Sequence, residues 1–344
     1  MKEIKFDTAH KSNGEFLAKT YKYFLCLPGI GFREVIFLTV VPVDVPMSAG
    51  LCEKTIRRLT ETYPALTQRT ITTTAYGRPV MAVTMGKGGR KVILTAAHHA
   101  NEWITATVLL KFAEELAKAA ADDGKIWGVP ARTLTTYSTI HILPMVDPDG
   151  VDLVTGETNQ EERGRARKIA AAFPAIPFPE GWKANLLGVD LNLQYPALWL
   201  QAREIKFAQG YTKPAPRDFV GRAPLDQRES RALAEYTEDV EPDLVLALHT
   251  QGKAIYWQFL DIPVPGAKEL AEEFARVSGY RVEDTPYESS FAGYKDWFIR
   301  RWQRPGFTIE CGEGENPLPL TQFAEIYRDV LGILVTAVTG LPET

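Results

Sequence analysis

Three short apolar runs, each leading to a titratable side chain, constrain this chain more than any other feature. Leu244-Val245-Leu246-Ala247-Leu248 is continuously apolar, the pattern of a central parallel strand covered on both faces. His249 follows it directly. Val92-Ile93-Leu94 leads to Thr95-Ala96-Ala97-His98-His99-Ala100-Asn101-Glu102-Trp103, and an amphipathic run over about 105–120 leads out. That order reads as buried strand, tight turn and helix. Phe307-Thr308-Ile309 ends in Glu310. Further spacing predicts helices over 52–63, 161–172, 228–236, 268–278 and 322–338, and a strand over 139–143. Residues 70–75 and 80–85 flank Tyr76-Gly77-Arg78-Pro79 as a hairpin. The segments 144–150, 155–187 and 196–226 read as a turn and two Pro-rich excursions. Strands alternating with helices predict an α/β fold: a mixed, mainly parallel central sheet with helices on both faces, in one catalytic domain over 51–344. Residues 1–50 read as an extension of unclear role, with Val35 to Val41 as a strand or a peripheral arm. Open sheets of this kind place their sites beyond the carboxyl ends of the strands.

At one such end His99 and Glu102 stand in a His-x-x-Glu spacing. Imidazole nitrogen and carboxylate oxygen are ordinary zinc ligands, and a catalytic zinc takes three protein ligands and an open position. The search for the third is short, because the chain has five histidines. His249 also follows an apolar strand directly. Alone it would read as a histidine satisfied at a strand end; paired with His99 and Glu102 it reads as the third ligand. His98 competes, although its side chain should point away from that of His99 on an extended chain. His10 and His141 read as structural. A hydrolytic zinc needs a carboxylate base for its water. Glu310 is that candidate, and Glu313 and Glu315 in the following loop compete with it.

A net charge of −4 gives no electrostatic case for nucleic acid or an anionic membrane. Three scattered cysteines, Cys26, Cys52 and Cys311, are too few for a disulfide framework or a cysteine metal site, and suit a reducing compartment. The start Met1-Lys2-Glu3-Ile4-Lys5 lacks a signal-peptide layout, and the apolar stretch 34–45 is too short to span a bilayer and contains Pro42. The expectation is a cytoplasmic protein without nucleic-acid or membrane partners.

The ordered set His99-Ala100-Asn101-Glu102-Trp103, Gly188-Val189-Asp190-Leu191-Asn192, His249, Asp296-Trp297 and Phe307-Thr308-Ile309-Glu310 resembles the zinc carboxypeptidase family over about residues 55–340. Several segments look like the bacterial γ-D-glutamyl-diaminopimelate peptidases of that family. These are Trp182-Lys183-Ala184-Asn185, His249-Thr250-Gln251-Gly252 through Trp257, Phe291 through Trp297, and Gly312 through Pro319. The resemblance implies one zinc ion held by His99, Glu102 and His249, with Glu310 as general base and acid. It implies that Asp190 fixes the ring of His99, that Lys183 supports the developing oxyanion, and that Asn192 holds a substrate carboxylate. Tyr287 falls near the family's mobile active-site tyrosine, with Tyr294 as the alternative.

Three departures bear on substrate. The family's carboxypeptidases follow the asparagine with an arginine that clamps a C-terminal carboxylate, and here Leu193 stands there, which cannot do that work. Asn101 replaces the arginine often found before the glutamate ligand. Lys295 takes the place of the residue that sets side-chain preference, and a cation there predicts an acidic partner such as diaminopimelate. The implied activity is zinc-dependent hydrolysis of the γ-D-glutamyl–diaminopimelate (or lysine) amide in soluble peptidoglycan-derived peptides, as in murein peptide recycling. A conventional carboxypeptidase, an amidohydrolase for acylated amino acids, and a non-catalytic muropeptide-binding protein are the competing readings.

Overall fold

The computed structural model describes residues 20–27 and 31–340, and the three apolar runs lie side by side in it. In chain order, β1 (Thr20–Leu27) and β2 (Gly31–Leu38) pair as an antiparallel hairpin, followed by α1 (Ala49–Thr62), β3 (Thr67–Thr73), β4 (Pro79–Met85), β5 (Arg90–Ala96) and α2 (Ile104–Ala121). A small hairpin of β6 (Lys125–Ile126) and β7 (Val129–Pro130) leads to α3 (Ala131–Tyr137), β8 (Ser138–Leu143), α4 (Pro148–Thr155), α5 (Gln160–Ala170), α6 (Trp199–Ala208) and α7 (Arg228–Val240). The chain closes with β9 (Leu244–His249), β10 (Ala254–Tyr256), α8 (Ala267–Ser278), β11 (Arg281–Glu283), α9 (Tyr294–Trp302), β12 (Gly306–Glu310) and α10 (Phe323–Thr339).

Eight strands form one mixed sheet in the order β11-β10-β12-β9-β5-β8-β4-β3. The middle four, β12, β9, β5 and β8, are parallel; the β3–β4 hairpin joins one side antiparallel, and β10 joins the other antiparallel to β12. Alternation along the central strands feeds two cores. Val92, Leu94, Leu244, Leu246, Leu248, Phe307 and Ile309 face the layer of α1, α2, α3, α8 and α10. Ile93, Val245 and Ala247 face the layer of α6, α7 and α9. Burial on both faces is why these strands read as unbroken apolar runs. Each fully buried Leu, Ile or Phe contributes roughly 1.5–3 kcal/mol. Among the described residues no helix is long and apolar enough to cross a membrane.

Several stretches differ from expectation, among them α3, α9, β10 and β11, to which the sequence pattern assigns no element. Residues 144–150 are not only a turn, because Pro148 opens α4 and the Asp147 side chain caps it by accepting from the Gly150 amide (2.9 Å). The segment 196–226 contains α6, hidden in sequence by its Pro- and Gly-rich flanks. Packing also reaches back across residue 50: Val41 and Met47 are buried in the larger core, and Ser48 caps α1.

Candidate metal centre and active site

The turn after β5 is held by a threonine. Thr105 Oγ1 donates to the Glu102 carbonyl (2.7 Å) and accepts from the Ala97 amide (3.0 Å), so the start of α2 fixes both ends of the loop that carries His99. Ala97 itself sits in the left-handed region (φ 46°), a conformation that costs a non-glycine residue about 1 kcal/mol. The kink separates the two histidines. His98 is fully buried, stacks on the His249 ring (centroids 5.5 Å apart) and lies 5.7 Å from Tyr294, and neither of its ring nitrogens has a hydrogen-bond partner among the described residues. It is not brought to the metal-facing group, as its position on an extended chain predicted. Burial, then the neighbouring His249 and His99, hold its imidazole well below the ordinary range, and thus neutral.

His99, Glu102 and His249 do converge. Each offers one ligand atom, and those atoms lie within 4.8 Å of one another. His99 Nδ1 is 2.9 Å from Glu102 Oε1, His249 Nδ1 is 2.9 Å from Glu102 Oε2, and the two Nδ1 atoms are 3.3 Å apart. Two imidazole nitrogens and a carboxylate, converging from the ends of adjacent central strands, fit a divalent metal of the zinc type. The other face of His99 is anchored: Nε2 lies 3.1 Å from Asp190 Oδ1. Asp190 is in turn fixed by the amides of Asn192 (3.1 Å) and Asp218 (3.2 Å). A carboxylate behind a ligand histidine selects the tautomer whose other nitrogen faces the ion. Asp190 thus lies against His99, the position that the resemblance implies for it.

Charge in the centre is tightly balanced. Burial alone would lower the His99 pKa, but Glu102 and Asp190 overcome it and push it up to about 9. Burial likewise opposes ionisation of Glu102, yet Lys183, His99 and His249 hold that carboxylate well below its ordinary range. Lys183 Nζ donates to Glu102 Oε1 (2.9 Å), which places its ammonium at the edge of the metal-facing group. Lys183 is held by its backbone, whose amide donates to the Pro216 carbonyl (2.8 Å).

Glu310 ends β12 in register with His249 on β9, and the Cys311 amide donates to the His249 carbonyl (2.8 Å). Burial pushes the Glu310 carboxyl above its ordinary range, with His249 and Lys183 pulling it back and Glu102 adding to the rise. Its rivals Glu313 and Glu315 are exposed in the loop beyond. That loop is clamped to the His249 strand end: Thr250 Oγ1 donates to Asn316 Oδ1 (2.7 Å), Asn316 Nδ2 donates to the Thr250 carbonyl (3.0 Å), and the Gly252 amide donates to the Gly312 carbonyl (2.8 Å).

The family model described as zinc carboxypeptidase matches residues 52–331, most of the chain. The chain belongs to the zinc carboxypeptidase family. Among curated relatives, the γ-D-glutamyl-L-diamino acid endopeptidase 1 of Lysinibacillus sphaericus is 41% identical over 280 residues, covering 81% of this chain and 69% of that protein. An uncharacterized Bacillus subtilis protein is 37% identical over 286 residues, covering 82% and 74%. Among solved structures, carboxypeptidase A from Helicoverpa armigera superposes with a TM-score of 0.67 at 16% identity, covering 88% of this chain and 76% of that one; the likeness is one of fold. As a zinc carboxypeptidase family member, the chain is a zinc metallopeptidase.

Other residues singled out in the sequence divide. Asn192 Oδ1 accepts from the Tyr294 amide (3.1 Å), which leaves its Nδ2 amide to donate elsewhere. The Tyr294 side chain does not reach a substrate: it is fully buried, its hydroxyl pairs with Thr237 Oγ1 (2.8 Å), and its ring packs on Tyr195 and Trp297. Only its backbone serves the site. Tyr287 is the reverse, 62% exposed on a short turn of 287–289, with its hydroxyl accepting from Gln201 Nε2 (3.4 Å). Lys295 is buried, and its ammonium donates to the Gln258 carbonyl (2.6 Å) and to Asp296 Oδ1 (2.5 Å). Its charge is already balanced by Asp296, which weakens it as a receiver of an acidic side chain. His141 is structural as expected, with Nδ1 paired to the Tyr236 hydroxyl (2.7 Å); His10 lies outside the described residues. The tethers Thr105 and Asn316 were not foreseen, because a threonine one turn into a helix and a loop asparagine carry no distinctive spacing.

Proposed function

We propose that this zinc peptidase hydrolyses the amide between a γ-D-glutamyl residue and a diamino acid, diaminopimelate or lysine, in soluble peptidoglycan-derived peptides. The observation that carries the reading is the joint presence of the complete ligand set and base with Leu193 in place of a carboxylate-clamping arginine. Leu193 is buried with the apolar core beneath α7 and α9, so no cation replaces the clamp from that position. The relative from Lysinibacillus sphaericus, named for this bond, supports it over most of the chain.

When bound, zinc supplies Lewis-acid chemistry, acidifying water and polarising a carbonyl. His99, Glu102 and His249 would hold it, and Asp190 would keep His99 oriented. Glu310, raised above the usual carboxylate range, takes the proton of the attacking water and passes it to the leaving amine of the diamino acid. Lys183 donates to the negative charge that grows on the scissile oxygen. Asn192 Nδ2 donates to a substrate carboxylate, and Tyr287 closes over the bound peptide from its exposed turn. Two buried free thiols, Cys52 and Cys311, support a reducing compartment such as the cytoplasm. The test compares L-Ala-γ-D-Glu-diaminopimelate with its α-linked isomer on the zinc-loaded enzyme. The reading expects kcat/KM at least a hundredfold higher for the γ-linked peptide. Equal rates, or preference for the α-linked peptide, would favour a conventional carboxypeptidase.

A further inference from the structure

Resting on that function, we propose that Arg217 is a specificity-determining residue that receives the free α-carboxylate of the γ-D-glutamyl residue. In an α-linked glutamyl peptide the free carboxylate is the γ one, and the acylated amine sits on the carbon next to the scissile carbonyl; in the γ-linked peptide that amine sits on the carbon bearing the free carboxylate. In a γ-linked one the glutamyl α-carboxylate hangs on the acyl side, a few bonds from the scissile carbonyl, and a cation beside the oxyanion group is needed to meet it.

The short segment Pro216-Arg217-Asp218 is tied by its backbone to Lys183 and Asp190. The Pro216 carbonyl accepts from both the Lys183 and Ala184 amides (2.8 and 2.9 Å), and the Asp218 amide donates to Asp190 Oδ2 (3.2 Å). The Asp190 amide returns a bond to the Phe219 carbonyl (2.9 Å). Arg217 is thus pinned between the lysine at the oxyanion position and the carboxylate that orients His99.

Its guanidinium is held and still open. Nε donates to Asp218 Oδ2 (2.6 Å), and Asp218 Oδ1 is held by the buried Lys206 (2.7 Å). Among the described residues the two terminal amino groups of Arg217 meet no acceptor, and its side chain is 41% exposed. Those two N–H faces form the fork that binds a carboxylate in a bidentate pair. Arg217 also weighs on the Lys183 ammonium, second only to Glu102 among the charges around it, which fits a shared anion between the two. The bland role, a surface arginine serving only Asp218, leaves the open face without use.

Steady-state kinetics on two peptides tests this. One is L-Ala-γ-D-Glu-Lys; the other carries D-isoglutamine, in which the α-carboxylate is a neutral carboxamide while the scissile bond is unchanged. The wild type is expected to prefer the carboxylate peptide at least tenfold in kcat/KM, chiefly through KM. Arg217→Gln should shrink that preference toward parity, and Arg217→Lys should restore part of it. Equal wild-type rates on the two peptides would overturn the proposal without recourse to any variant, as would a full preference retained in a folded Arg217→Gln. A wild type that cleaves neither γ-linked peptide refutes the functional reading itself, and this inference falls with it.

Discussion

At Glu310 the proposed proton-transfer role and the environment meet. Burial lifts its carboxyl above the ordinary range, so the base becomes competent only as pH rises through that raised value. kcat/KM should therefore climb with pH on the acid side, and Glu310→Gln should abolish that limb while lowering kcat by about a thousandfold or more. Zinc content, read by atomic absorption, should stay near one per chain in the variant; loss of metal instead would assign Glu310 to binding. His99 gives a second residue-scale prediction. Its pKa near 9 in the metal-free protein means that a proton must leave before Nδ1 can bind an ion. Chelator competition should show zinc affinity rising from pH 6 to 8.5, and a flat profile would contradict the ion pair with Asp190. Asp190→Asn should cost about ten- to a hundredfold in zinc affinity. His249 and Glu310 were legible as candidates because each closes an apolar run, and Glu102 because of its spacing from His99 after another. Tyr294 was misread because its place in the chain, close to Tyr287, says nothing of which way a ring turns. The structure points it into the core against Thr237.

Elements carry the site by mutual restraint. β9 and β12 lie in register, so His249 and Glu310 are set by one ladder, and the Asn316 clamp ties together the loops that leave them. Asn316→Ala should destabilise the fold by about 1–2 kcal/mol and lower kcat several-fold with zinc still bound; an unchanged kcat would show that the clamp serves the fold alone. α4 works in the same way on the Lys183 side. A Cβ at Gly150 would lie 2.3 Å from Asp147 Oδ2 and 2.4 Å from the Ala184 carbonyl, so nothing larger than glycine lets α4 seat against the segment carrying Lys183. The parallel centre of the sheet was legible in its unbroken apolar strands. α6 was not, since Pro and Gly on both flanks mask a helix whose stability comes from packing Trp199 and Ala202 into the second core.

For the whole molecule, pH and metal act on one folding equilibrium. Burial, and then the charge of Lys91, lower the His141 pKa to about 4, so it is neutral in the fold and protonates in the unfolded chain near its ordinary value. Its contribution is present in full above about pH 6.5 and is lost as pH falls toward 4. The loss reaches up to roughly 3 kcal/mol. Buried Glu229, raised to about 7, has the opposite sign, its contribution fading as pH rises through that value. The difference in stability between wild type and His141→Gln, measured by urea unfolding at pH 7 and pH 4.5, isolates the histidine; no pH dependence in that difference would contradict its burial. The central claim joins metal, base and bond in one act. Mass spectrometry of L-Ala-γ-D-Glu-diaminopimelate incubated with zinc-loaded protein tests it most directly: the account predicts L-Ala-D-Glu and free diaminopimelate, with none formed after chelation. Release of alanine, or an intact tripeptide with zinc bound, would contradict it.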